Sequence, residues 1–394
     1  MIGEWKNCLR AAVALGAIAA AAPLAAAPAE FSIQTDVRLG YDMNPFLSPG
    51  SGLDSGYAGV VVSPKVSQRS EQGEYSVSGY FDGTKYFKQY GHSNQYGGEA
   101  EFQRRLTPKL RVTGSLRYDS EVIGQGGSSS DVTGPPIDDT DVNLIGLRRR
   151  SNTFQANGGW EYQISPTDTI SANGGYTDTR YAGAGGSDSK NYGGVIGWKH
   201  ALNGRTKIGL STSVYYIDYD TPGLSTMIME PNVTFSTQFS PTWSFDAAVG
   251  VTFSKLYQPL ALGLSDTRAK GLSGNVNLCH KAVKDDFCFH AGRSVTASGA
   301  GGTVERSQFG VNYGRQLSEK LSWRGSANYT RSKSQSGPGG TREYLSGTGG
   351  FEYLANRWLI LGVEGRYRDV FGGRQIRGDY GGEVNATIYF PARK

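Results

Sequence analysis

Only 38% of these 394 residues are hydrophobic and the mean hydropathy is −0.41, which excludes a membrane-spanning helix. The formal charge of +5 is too slight and too scattered to argue for nucleic acid. Aromatic residues make up 11% of the chain and recur at period two, which excludes disorder.

Residues 1–29 carry Lys6 and Arg10, an apolar run over 11–22, and the small-residue end Ala27-Pro28-Ala29. A charged start, an apolar middle and an A-x-A end describe a secretory signal peptide cleaved before Glu30. The run is too short and too alanine-rich for a stable span. Cys8 precedes it without the small-residue setting of a lipoprotein. The mature domain is then 30–394, outside the cytoplasm.

From there the chain alternates. The clearest unit is the hairpin at 152–181. Phe154, Ala156, Trp160 and Tyr162 fall on one side, and Gln155, Asn157, Glu161 and Gln163 on the other. Successive strand side chains point to opposite faces, so each segment has one apolar and one polar face. Aromatics stand near the strand ends with small residues between them, as on a face that meets lipid rather than fills a core. The same pattern predicts strands over 31–42, 57–67, 74–87, 94–106 and 110–120 before the hairpin. After it come 191–200, 206–219, 226–239, 242–257, 271–280, 286–298, 304–317, 320–331, 342–354, 357–370 and 378–390. That makes about eighteen, each long enough to cross a bilayer.

The connections carry the topology. Tight turns at 107–108, 165–168, 202–204, 240–241, 318–319 and 355–356 alternate with long Gly/Ser-rich links. The longest of these are 43–56, 121–150 and 258–270. Outer-membrane barrels sort their loops in this way, with short periplasmic turns and longer extracellular loops. The expected fold is therefore all-β: a closed antiparallel transmembrane β-barrel in a bacterial outer membrane, with both termini periplasmic.

Charged residues on a lipid face cost about 2–4 kcal/mol near the midplane, so those on the polar face line the lumen. The pore-lining set is Arg38, Glu99, Glu101, Arg105, Arg111, Arg117, Arg324, Glu364, Arg366, Arg368, Glu383 and Asn385. A barrel of this size is wide enough for an aqueous channel. The long loop 121–150, with Asp131, Asp138, Asp139 and Asp141, is either an inward constriction or a solvated surface segment.

Cys279 and Cys288 flank the turn at 280–287 and oppose each other in a hairpin centred there. In an oxidising compartment they are expected to form a disulfide. With His280 and His290 they could instead bind a metal, although the spacing matches no common zinc pattern. No metal and no cofactor is expected. The four histidines have no companion serine and acid spaced as a triad, and Gly-x-Ser-x-Gly does not occur, so no catalytic residues are assigned.

The first strand ends in Gly40-Tyr41-Asp42-Met43-Asn44-Pro45-Phe46-Leu47. A strand ending in Tyr-Asp-x-Asn with an apolar follower resembles the β-barrel porin type 2 family of bacterial outer membranes, carried here by Tyr41, Asp42 and Asn44. The resemblance implies an eighteen-stranded barrel associated with exopolysaccharide secretion, supplying the outer-membrane channel for a polysaccharide export protein. It implies no catalytic residue. The expected function is thus export of an exopolysaccharide, with the arginines drawing carboxylated sugars by charge-assisted bonds. The alternatives are a general or solute-selective diffusion porin, and a structural surface barrel whose loop 121–150 binds. Expected partners are outer-membrane lipid and lipopolysaccharide, the polysaccharide substrate, a periplasmic polysaccharide export protein and the barrel assembly machinery, with no nucleic acid.

Overall fold

The computed structural model describes residues 28–125, 142, 144–183, 186–258, 266–335, 340–372 and 376–391. The signal segment up to residue 27, the loop acids Asp131, Asp138, Asp139 and Asp141, and the tail 392–394 lie outside the described residues.

Eighteen strands account for most of the rest. The first half is β1 (Glu30–Asp42), β2 (Ser55–Ser70), β3 (Gly73–Tyr86), β4 (His92–Thr107), β5 (Leu110–Val122), β6 (Arg150–Gln163), β7 (Asp168–Tyr181), β8 (Ser189–Ala201) and β9 (Thr206–Tyr219). The second half is β10 (Ser225–Gln238), β11 (Trp243–Tyr257), β12 (Thr267–Lys281), β13 (Asp285–Ala297), β14 (Thr303–Gln316), β15 (Leu321–Ser334), β16 (Thr341–Asn356), β17 (Leu359–Phe371) and β18 (Asp379–Phe390). Each strand pairs antiparallel with its chain neighbours, and β1 closes on β18 from Ile33–Phe390 to Asp42–Gly381. Closure of β1 on β18 removes the two terminal edges of the sheet, which lets the wall satisfy its backbone inside lipid. The fold is a closed 18-stranded antiparallel barrel, and no helix occurs among the described residues.

The alternation read from the sequence holds through the wall. Val37, Leu39, Val60, Val77, Phe81, Ile196, Leu210, Val249, Leu272, Val363 and Val384 are all exposed on the outside, where they form an apolar belt. Aromatic pairs bound it at both ends. Tyr176–Tyr192 and Tyr367–Tyr380 stand on the loop side, with ring centroids 5.1 and 4.8 Å apart. Tyr313–Trp323 and Trp243–His280 stand on the turn side, at 5.4 and 4.6 Å. Two girdles around an apolar belt place the barrel in an outer membrane, with the long loops outside the cell.

One seam is incomplete. β12 pairs with β13 only from Gly274–Arg293 to Lys281–Asp286, so their loop-side ends separate. The top of the β13–β14 hairpin packs inside the barrel instead, where Val295 clusters with Ile217, Tyr219 and Ile228. Cys279 and Cys288 face each other in the paired half of this seam and are joined by a disulfide. That bond takes both thiolates from the alternative metal site. The strand alternation also puts His280, beside Trp243, and His290, beside Gly310, on opposite faces of the wall.

Candidate functional site: the lumen and its mouth

The lumen has two unlike walls. The first runs over β17, β18, β1, β2 and β3 and is charged, but its most buried charges are spent on one another. Arg366 is 7% exposed, and its Nη2 donates to both Asp42 carboxylate oxygens at 2.7 and 2.8 Å. Its Nη1 donates to Glu383 Oε2 at 3.1 Å, and it also bonds the Tyr57 hydroxyl. That hydroxyl donates to the same Glu383 oxygen at 2.7 Å. Arg368 Nη2 meets Asp379 Oδ2 at 2.6 Å, and Arg38 Nη2 meets Asp82 Oδ1 at 2.6 Å. Buried ions demand paired geometry of this kind, because an unpaired one loses its hydration without compensation.

This wall holds a loop. The chain leaves β1 at Asp42 and turns into the barrel. The Asn44 backbone N–H donates to Asp379 Oδ1 at 2.8 Å, and its side-chain amide donates to the Ser48 and Arg377 carbonyls at 3.0 and 2.8 Å. Ser48 N–H closes the turn onto Asn44 Oδ1 at 2.9 Å. Arg368 adds bonds to the Pro45 and Gly124 carbonyls, both at 3.0 Å. Phe46 and Leu47 are thereby fully buried, 0% exposed, inside the mouth. Phe46 packs on Tyr86 and Tyr90 with ring centroids 5.3 and 4.8 Å away, and the Arg148 guanidinium lies 4.5 Å over its ring. Asp42 and Asn44 therefore shape the mouth. Tyr41 faces outward, and its hydroxyl donates to Asp54 Oδ2 at 2.8 Å. Asp54 also pairs with Lys88 across the same rim.

The described part of the 121–150 loop crosses the mouth. Val142 and Ile145 pack with Leu47, Tyr344 and Val370, and Arg342 Nη1 donates to the Val142 carbonyl at 3.4 Å. Leu144 and the Tyr181 hydroxyl occupy the space that a Cβ on Gly299 would take, at the tip of the β13–β14 hairpin. That tip is held further by Ser187 N–H donating to the Gly299 carbonyl at 2.6 Å and by the Tyr219 hydroxyl bonding the Gly302 carbonyl. Loops anchored on distant parts of the rim meet over the lumen and narrow it.

The second wall, over β4 to β9, is lined by a recess of about 570 Å³. Glu101, Gln103, Thr113, Ser115, Asn157 and Asn173 face it. Glu99 stands opposite Arg117, which pairs with Asp119 at 2.6 Å. Arg105 and Arg111 face each other, exposed, beside the periplasmic turn at 107–108. Arg324 reaches Glu352 at 3.5 Å on the opposite side of the barrel. Glu364 is half-buried opposite Glu383, and Asn385 lies over Gly362 with its amide 3.5 Å from Glu383 Oε1. Arg366 and Glu383 thus join Asp42 and Tyr57 in one cluster, with Arg368–Asp379 and Arg38–Asp82 as separate buried pairs on the same wall. Arg105, Arg111, Arg117 and Arg324 lie elsewhere in the lumen. Sequence reasoning missed Asp82, Asp379 and Tyr57, which look like any other alternating residues. It also missed the inward turn of Phe46-Leu47, for which an apolar pair inside a polar loop was the available signal.

No family model matches the chain, and no curated protein matches it. Among solved structures, the chain is similar to a BenF-like porin from Pseudomonas fluorescens Pf-5, at 10% identity over 92% of this chain and 98% of that one, with a TM-score of 0.48. It is also similar to OccK2 (OpdF) of Pseudomonas aeruginosa in complex with glucuronate, at 8% identity over 92% and 97% of the two chains, with a TM-score of 0.46. A third is the FrpB iron transporter of Neisseria meningitidis (F3-3 variant), at 8% identity over 86% of this chain, which spans 62% of that protein's length, with a TM-score of 0.47. The expectation of exopolysaccharide export is corrected here. The mouth of this barrel is crossed by loops that meet at Leu144 and Gly299. The three similar structures are described as a BenF-like porin, OccK2 in complex with glucuronate and an iron transporter, none of them as a polysaccharide exporter. The arginines expected to draw acidic sugars are in large part held by carboxylates of the protein itself.

Proposed function

We propose that this barrel is a solute-selective diffusion porin of the outer membrane. The observation that carries the reading is a polar lumen inside a closed 18-stranded wall, narrowed at its outer end by loops that are pinned by buried ion pairs. A barrel of this strand number encloses an aqueous passage, and an inward loop sets the size of what can enter. Charges of both signs on the first wall, paired at close range, leave little net field to exclude either cations or anions. The pore-lining set acts in two ways: Arg38, Arg366, Arg368 and Glu383 hold the mouth, while Glu101, Arg105, Arg111 and Arg324 meet passing solute.

Refolded protein in liposomes should let arabinose through, with osmotic swelling faster than in protein-free vesicles. Folded, heat-modifiable protein that leaves the vesicles impermeable would sink the reading. The surface-barrel alternative would then take its place.

A further inference from the structure

On β6, β7 and β8 the lumen-facing positions carry no charge over residues 151–159, 169–181 and 189–197. Such a tract is unexpected in a lumen whose other wall is crowded with ions. Its side chains are also laid flat. Asn173 lies across Gly159, Asn157 lies across Gly175, and the Tyr215 ring lies across Gly193, each filling the space that a Cβ would occupy. Any larger residue at Gly159 or Gly193 would lift its neighbour off the wall. Asn157 Nδ2 also reaches Ser115 Oγ at 3.4 Å. Asn191 has a buried Oδ1 with no hydrogen-bond partner.

The outcome is a shallow recess of about 570 Å³ whose β6–β8 face is uncharged, with amides and hydroxyls at its level and the Tyr215 ring beside them. Amide groups both donate and accept, as hydroxyls do, so they complement a ligand made of hydroxyls. A tyrosine ring laid flat offers an apolar face to a ring of C–H groups. A carboxylate would find no guanidinium among these amides to form the stronger charge-assisted bonds. The charged groups that border the recess, Lys65 with Glu74 and Glu101, add no net positive charge.

We infer that this wall is a binding track for uncharged polyhydroxylated solutes, sugar rings above all. The inference rests on the porin reading for its physiological use, but the binding itself does not. Several weak contacts along a wall suit a passing solute, because tight binding at one point would stall it.

The test uses the refolded full-length barrel with D-glucose and D-gluconate as probes. Binding is read by saturation-transfer NMR, and transport by liposome swelling. Glucose should bind and gluconate should bind more weakly. Asn173→Leu combined with Asn191→Leu should weaken glucose binding by about tenfold, the loss of a hydrogen bond or two. Tyr215→Leu gives a second reading if the double variant does not fold. Glucose binding without any swelling would leave the track standing and overturn the porin. Swelling with no glucose binding, with gluconate bound equally well, or with unchanged binding in the folded variants, would overturn the track and leave the porin.

Discussion

The β17–β3 wall and the β6–β8 wall are built from the same alternating strands and differ in what their inward residues do. On the first, Arg366, Asp42, Glu383 and Tyr57 satisfy one another and are almost wholly buried. They have little left to offer a solute, and their product is a loop held in the mouth. On the second, Asn157, Asn173 and Tyr215 lie open to the lumen on a bed of glycine. The contrast teaches that charge in a pore lining is not by itself a substrate signal. A buried, mutually paired arginine is a structural part, and the neutral wall is the one free to bind.

The largest effect should come from breaking the first wall at its centre. Arg366→Met leaves Asp42 and Glu383 buried without their cation, and removing one partner of a buried pair costs about 3–5 kcal/mol. Urea unfolding of the refolded barrel should show the loss, and an unchanged midpoint would mean that the network carries no load. Phe46→Ala is next. It empties the pocket between Tyr86 and Tyr90, with a loss of about 3 kcal/mol by the usual range for buried aromatics. Protease should then cut the 43–54 loop faster than in the wild type, and equal rates would argue that the loop is not anchored there.

The second wall should respond differently to the same treatment. Asn173→Leu should shift stability by no more than about 0.5 kcal/mol, the range for positions that anchor nothing. A loss comparable to that of Arg366→Met would erase the distinction between the walls. The smallest effect belongs to the rim. Lys88, and then the Tyr41 hydroxyl, bond the Asp54 carboxylate and hold it below the usual carboxylate range. Because its folded value is depressed, its contribution is present above the unfolded pKa, about 3.9, and is lost as pH falls through the folded value. Amide protection factors in the 49–56 loop, with the intrinsic exchange rate divided out, should fall only in that acidic window. A fall near neutral pH would assign the effect to another group.

Most of the fold could be read in the sequence. Period-two alternation and the parity of loop lengths are local properties, and they point to a closed barrel of about eighteen strands, which the structure has. The Cys279–Cys288 bond followed from the same register. Facing could be read as well, since Arg38, Arg366 and Arg368 had to point away from lipid. What could not be read was pairing across the lumen wall. Asp42 meets Arg366, and Asn44 meets Asp379, from opposite ends of the chain. Those contacts exist only once β1 has closed on β18. The Tyr-Asp-x-Asn stretch illustrates the limit, because it pointed to a family resemblance while its physical role is to turn the first loop inward. The tuck of the β13–β14 hairpin was likewise hidden, since it depends on an incomplete seam with β12 and on contacts that Val295 makes with β9 and β10.

Single-channel current across a planar bilayer tests the central claim most directly, comparing the wild type with a variant carrying Phe46→Gly, Leu47→Gly and Leu144→Gly. A mouth narrowed by anchored loops predicts open steps in potassium chloride for the wild type and larger steps for the variant. A silent wild type, or equal steps from the two proteins, would contradict it.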